Sequence, residues 1–159
     1  QIEELSDVIK EQKQMLILGR RTNYGIARET SMKMEELTYA ASEGMMAGEL
    51  KHGPLALIDN QTFVIFFANS DDVEVRKQCL TSLQQIKARN AQVLLIATED
   101  QRDKINGLYD HLLIVPETSQ WVQMIVNIVP MQLLAYYVAC KKGINVDRPR
   151  NLAKSVTVV

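Results

Sequence analysis

The sequence has few cysteines and no excess of charge of either sign. Cys79 and Cys140 are the two cysteines among 159 residues, and they lie far apart on predicted helices, without the spacing of metal ligands. We expect two buried free thiols in a reducing compartment. The 18 Lys and Arg residues nearly balance the 19 Asp and Glu residues, so the composition favours neither nucleic acid nor an anionic membrane as a partner.

The sequence also lacks an uninterrupted apolar run long enough to cross a membrane. Its longest apolar stretch, 121–140, is interrupted by Gln123, Asn127, Pro130 and Gln132. Low-complexity segments and internal repeats are absent, and the polar first fourteen residues do not resemble a signal peptide. We therefore expect a single soluble, cytoplasmic domain. Because the sequence has no initiator Met, we expect it to be a piece of a longer chain.

Four short apolar runs that barely alternate predict buried strands at 15–19, 62–68, 92–98 and 111–116. Such a series of strands with helices between them predicts an α/β fold, a three-layer α-β-α sandwich with a flavodoxin-like parallel sheet. Ligands of such sheets bind beyond the carboxyl ends of the strands, so we expect the site near the loop that follows the first strand. Helices are predicted at 1–13, at 26–41 with Thr22 and Asn23 as caps, at 73–89, at 100–106, and at 119–142 with a kink at Pro130.

One helix carries a possible catalytic cluster. Glu29, Lys33 and Glu36 have the spacing i, i+4 and i+7, which places them on one helical face. The spacing favours a solvated stripe with one ion pair. It leaves open a second interpretation, in which two carboxylates beside an ammonium hold different protonation states for acid–base chemistry at carbon.

Two further side chains could take part in catalysis, but the sequence around them does not decide between a structural and a catalytic role. His52, in a loop with Gly53 and Pro54, either caps a turn or transfers a proton near pH 7. Lys154 is either a solvated terminal lysine or a nucleophile toward a carbonyl. The second role needs a neutral amine, which burial or the nearby Arg150 would favour.

Longer stretches carry a specific resemblance. The strings SEGMMAGELKHGPLALID at 42–59 and DRPRNLAKSVTV at 147–158 resemble the C-terminal sugar isomerase (SIS) half of the glutamine:fructose-6-phosphate aminotransferases, or glucosamine-6-phosphate synthases. VPMQLLAYYVACKKGINVD at 129–147 is similar too. The resemblance implies the second of two SIS subdomains at 14–145, after a linker helix from a preceding domain at 1–13 and before a catalytic tail at 146–159.

The resemblance also implies roles for the tail and the helix cluster. Lys154, beside Ala153 in the substrate site, would form a Schiff base with the open-chain sugar. Glu36, also in contact with the substrate, would transfer the proton between C1 and C2. Glu29 and Lys33 match a supporting carboxylate and amine. No cofactor or metal is implied, since Lys154 itself supplies the imine.

The implied partners are fructose 6-phosphate, glucosamine 6-phosphate and further protein. His52 would promote opening of the fructose ring in the neighbouring subunit's site, which requires a homodimer. The glutaminase domain and the first SIS subdomain, whose Ser/Thr-rich loop cradles the sugar phosphate, have no counterpart in this sequence. We therefore do not expect this chain alone to make glucosamine 6-phosphate from glutamine.

Three positions depart from the family's pattern. Arg21 stands where glycine is usual, residues 28–31 read Arg-Glu-Thr-Ser instead of Leu-Glu-Gly-Ala, and Val159 replaces an acidic residue. We expect the change at 28–31 to alter helix packing or sugar access. It favours one rival interpretation, a stand-alone module that senses sugar phosphates. The other rival is a related sugar isomerase or deglycase.

Overall fold

The computed structural model describes residues 1–152. Its five strands are β1 (Gln14–Gly19), β2 (Ala41–Met46), β3 (Phe63–Phe67), β4 (Gln92–Ala97) and β5 (His111–Ile114). Its α-helices are α1 (Ile2–Ile9), α2 (Thr22–Thr38), α3 (Val73–Lys87), α4 (Arg102–Ile105) and α5 (Gln120–Lys141). Short 3-10 turns cover Glu49–His52, Pro54–Leu57 and Glu99–Gln101.

All the strand pairs are parallel, and the strand order is β2-β1-β3-β4-β5. This order confirms the predicted flavodoxin-like three-layer sandwich. Successive residues of a strand point to opposite faces, so the apolar runs supply two cores. Ile17 and Ile65, paired across β1 and β3, face α1, α2 and α5. Leu18 and Phe66 face α3.

The edge strand β2 is the element that the sequence did not predict. Its segment reads ASEGMM, and Gly44 is its one buried residue. An edge strand exposes one side to solvent and needs no apolar run, so the hydrophobic signal is missing. A Cβ on Gly44 would lie 2.6 Å from the backbone oxygen of Ala27, which means that α2 packs directly on the strand's backbone. Only glycine fits there.

Helix α2 begins at Thr22, four residues earlier than predicted. The prediction of Thr22 and Asn23 as caps is wrong, because both lie inside the helix and the Asn23 amide bonds into the protein interior. Arg21 occupies the capping position without a side-chain capping bond. Its φ of 49° and ψ of −120° lie in a region that favours glycine, which explains why the family pattern has glycine there.

We expect Arg21→Gly to raise the free energy of unfolding by about 1 kcal/mol. Strain of this kind costs about 1–3 kcal/mol, and its relief is partly offset by the greater freedom of glycine in the unfolded chain. The exposed Arg21–Asp72 ion pair, at 3.4 Å, contributes little. Urea denaturation measures the change, with Arg21→Ala as the control that removes the ion pair and keeps the strain. Equal stability of the Gly and Ala variants would refute the strain argument.

The long helix α5 is a core helix. Among residues 1–152 it is the one helix that is long and apolar enough to span a membrane, judged by length and composition alone. It lies against the sheet, however, with Leu134, Ala135 and Val138 fully buried in the core. Pro130 lies inside it, as predicted. Its outer side exposes a row of apolar side chains, namely Trp121, Val122, Ile125, Val129, Leu133 and Tyr136.

Helix α1 packs against α5 as part of the same core. Leu5 and Ile9 belong to the apolar cluster of that face. Lys141, at the end of α5, donates from Nζ to the Glu3 backbone oxygen and to Asp7 Oδ2, both at 2.7 Å. The helix predicted over 1–13 is thus shorter, and its apolar side chains are integrated into the sandwich.

Candidate active site

The predicted cluster on α2 forms in the structure. Lys33 Nζ donates to Glu36 Oε2 at 2.7 Å and lies 3.7 Å from Glu29 Oε1. The hydrogen bond to Glu36 raises the pKa of Lys33, and the charge of Glu29 adds to this effect. Lys33 is therefore a fixed cation at neutral pH, placed to orient Glu36. With 33% of its side chain exposed, Glu36 is accessible to a substrate.

His52 lies apart from this cluster. It ends the 3-10 turn Glu49–His52, and its side chain is 60% exposed. Nδ1 lies 3.0 Å from Glu49 Oε2, which orients the ring. The turn continues into Gly53, whose φ of 151° suits only glycine. Within residues 1–152, no hydrogen bond or ion pair joins His52 to the α2 cluster.

The C-terminal tail meets the end of α2. The Arg150 backbone N–H donates to the Tyr39 hydroxyl at 2.8 Å, and the Arg150 guanidinium lies 4.2 Å from the centre of the Tyr39 ring. Tyr39 follows α2 directly, three residues after Glu36. Sequence reasoning missed it, because a contact across 111 residues leaves no local pattern. Lys154 and Ala153, the predicted Schiff-base and substrate residues, lie outside the described residues.

Amide side chains fill the crevice where the strand order reverses, between β1 and β3. Asn127 of α5 bonds to Asn23 and to Asn69, at 2.8 and 3.0 Å, and accepts from Gln123 at 3.2 Å. All four amides are buried. The adjoining cavity, of about 20 Å³, has room for one water molecule. Buried amides therefore fill the crevice between β1 and β3, and the α2 cluster lies further along the helix.

The residues of the departure at 28–31 lie both inside the protein and at its surface. Ser31 Oγ donates to the Ser42 backbone oxygen at 2.8 Å and ties α2 to β2. Thr30 is fully buried, and its hydroxyl has no hydrogen-bond partner among residues 1–152. Arg28 is exposed beside Glu29 in an open groove of about 520 Å³. Thr30 and Ser31 thus belong to the packed side of α2, whereas Arg28 lies on its exposed side.

Neither cysteine belongs to a site in the described part of the chain. Cys79 is buried, and burial raises the pKa of its thiol to about 12, so the thiol is unreactive at neutral pH. The prediction for Cys140 is wrong, since it lies exposed near the end of α5. No group of three His, Cys, Asp or Glu side chains within residues 1–152 could hold a metal ion.

The chain is similar in sequence to known enzymes. The chain is 42% identical over 156 residues to a glutamine–fructose-6-phosphate aminotransferase (isomerizing) of Acinetobacter baylyi, covering 97% of this chain and 25% of that protein. The same enzyme of Saccharomyces cerevisiae is 41% identical over 153 residues, covering 94% of this chain and 21% of that protein. The chain therefore spans about a quarter of the length of these curated relatives.

The solved structures agree with the sequence comparison. The C-terminal domain of glucosamine-fructose-6-phosphate aminotransferase from Francisella tularensis superimposes with a TM-score of 0.85 at 31% identity, covering 91% of this chain and 40% of that one. Residues 8–142 match the SIS domain. This match covers most of the chain, and the resemblance found in the sequence is confirmed: the chain belongs to the SIS domain family.

Proposed function

We propose that this chain is the second SIS subdomain of an enzyme that makes glucosamine 6-phosphate from fructose 6-phosphate and glutamine. The observation that supports this proposal most is the accessible Glu36 carboxylate, oriented by Lys33 at 2.7 Å in the last turn of α2. A carboxylate held in this way is suited to move a proton between neighbouring carbons. The 42% identical relative is named as an enzyme of this activity.

In the proposed mechanism, Lys154 attacks the C2 carbonyl of open-chain fructose 6-phosphate and forms an imine with loss of water. Ammonia from glutamine then replaces the lysine nitrogen at C2. Glu36 removes a proton from C1 and returns it to C2. The imine nitrogen gains a proton and O1 loses one, which leaves the amine and the aldehyde of glucosamine 6-phosphate. The lysine and the carboxylate carry out these steps without a cofactor.

The proposal includes partners beyond this chain. The exposed, Glu49-oriented ring of His52 is not bonded to the α2 cluster, which supports a role in a neighbouring subunit's site. The exposed apolar row of α5 supports further protein surface covering it, from a second copy or the first SIS subdomain. We place the whole enzyme in the cytoplasm as a homodimer with a glutaminase domain, and expect the 159-residue chain alone to be inactive with glutamine.

Mixing two inactive full-length variants tests this proposal. We expect His52→Asn and Lys154→Arg each to abolish product formation. If His52 acts in the neighbouring site, each mixed dimer contains one intact site, so unfolding and refolding the variants together should restore about a quarter of wild-type activity by random pairing. Glucosamine 6-phosphate formation is measured with fructose 6-phosphate and glutamine.

The control is the same mixture without subunit exchange, which should stay inactive. Refolded mixtures that remain inactive while refolded wild type is active would contradict a shared site. An active Lys154→Arg variant would contradict the imine mechanism, and sugar binding without turnover in the wild type would favour the sensing module instead.

A further inference from the structure

We propose that Tyr39 is a positioning residue that anchors the C-terminal tail and so delivers Lys154 to the sugar beside Glu36. This inference rests on the proposed function, because it assigns Lys154 its role as the amine. It adds a residue that has no part in the chemistry itself. The contact between Tyr39 and Arg150 carries the argument.

The two contacts hold different parts of Arg150. The backbone N–H donates to the Tyr39 hydroxyl at 2.8 Å, which fixes the position of the chain. The guanidinium lies 4.2 Å from the ring centre, in the range of a cation–π interaction, which fixes the side chain. One aromatic residue therefore restrains both the location and the direction of the tail at residue 150.

Hydrogen bonds also hold the segment between α5 and Arg150 near the end of α2. Lys142 Nζ donates to the Thr38 backbone oxygen at 2.6 Å, so the end of α5 is tied to the end of α2. The Asn145 side chain accepts from the backbone N–H groups of Asp147 and Arg148, at 3.0 and 3.3 Å, and closes a turn. The chain thus returns to the helix end next to Glu36.

The anchor shortens the stretch of chain between Lys154 and the last fixed contact of the tail. Lys154 lies four residues beyond Arg150 in the sequence, so the anchor leaves a tether of four residues. Without the anchor, the last contact with a helix among residues 1–152 is the hydrogen bond from the Ile144 backbone N–H to the Ala139 oxygen, at 2.9 Å and ten residues before Lys154. Effective concentration falls roughly as the −3/2 power of tether length, so lengthening the tether about 2.5-fold lowers it about fourfold.

The experiment uses the full-length enzyme and traps the imine. Borohydride reduces the C=N bond between Lys154 and fructose 6-phosphate to a stable amine, which mass spectrometry counts. We expect Tyr39→Leu, which removes both contacts, to lower the rate of trapping about fourfold. Tyr39→Phe keeps the ring and should recover part of the rate. Tyr109→Phe is the matched control, since its hydroxyl has no hydrogen bond in the described part of the chain.

A second measurement reports on the anchor without any chemistry. Trypsin cleavage after Arg150 requires a free side chain, so Tyr39→Leu should be cut faster than wild type, with an unchanged melting temperature. Trapping and cleavage at wild-type rates in Tyr39→Leu would overturn the anchor. If wild type traps no sugar on Lys154, the proposed function fails, whereas faster cleavage of the variant would still support the anchoring contact.

Discussion

Glu36→Gln in the full-length enzyme is expected to slow exchange of the C1 proton of fructose 6-phosphate with solvent by about 10²- to 10⁴-fold, the range for loss of a general base. Glutamine has nearly the shape of glutamate and still accepts the 2.7 Å hydrogen bond from Lys33, so the helix keeps its structure. What it loses is the ability to bind a proton. Proton NMR in D₂O measures the exchange directly.

The neighbouring residue provides the control for this change. Glu35 is exposed one position away, outside the cluster, and Glu35→Gln makes the same change in charge. We expect its exchange rate to stay within a factor of two of wild type. Imine trapping at Lys154 should be preserved in both variants, because it precedes the proton transfer. Exchange at the same rate in Glu36→Gln and Glu35→Gln would assign the proton transfer to another group.

Asn127→Leu is expected to lower the free energy of unfolding by about 3 kcal/mol. Asn127 and Asn69 exchange two amide hydrogen bonds, of 2.7 and 3.0 Å, and Asn127 also donates to Asn23 at 2.8 Å. Leucine has a similar size but leaves the Asn69 amide N–H and the Asn23 oxygen unpaired. Each buried polar group without a partner costs about 1–3 kcal/mol.

Thermal unfolding checks this prediction with a substitution on the same helix. A loss of 3 kcal/mol corresponds to a fall of about 6–12 °C in melting temperature for a chain of this size. Gln132→Leu, at an exposed position of α5, should change stability by less than about 0.5 kcal/mol. A melting temperature of Asn127→Leu equal to that of Gln132→Leu would show that the amide network adds nothing to stability.

The elements that could be predicted from sequence are those with a local apolar signal. The run MLILG predicted β1 because both faces of a central strand are buried, and the spacing of Glu29, Lys33 and Glu36 predicted their cluster because a helix repeats every 3.6 residues. In contrast, β2 is half polar and lies at the sheet edge, so its hydrophobic signal is too weak to distinguish it from a loop.

The site residues whose contacts were not predicted from the sequence are those that bond to distant parts of the chain. Asn23 has the residue type of a helix cap, but its amide bonds to Asn69, 46 residues away. Tyr39 contacts Arg150, 111 residues away, which only the folded chain brings near. Sequence reasoning finds side chains with suitable chemistry on one element. It does not show which distant segments fill the crevice between β1 and β3.

The pairing of α1 with α5 has a consequence for biosynthesis. Leu5 and Ile9 are made before Leu134 and Val138, with which they share an apolar cluster and which leave the ribosome more than a hundred residues later. At about 5–20 residues per second, this wait is of the order of 10 s. A helix of eight residues is marginal by itself in water. Helix α1 therefore docks only after translation of α5, and until then its apolar side chains are available to chaperones.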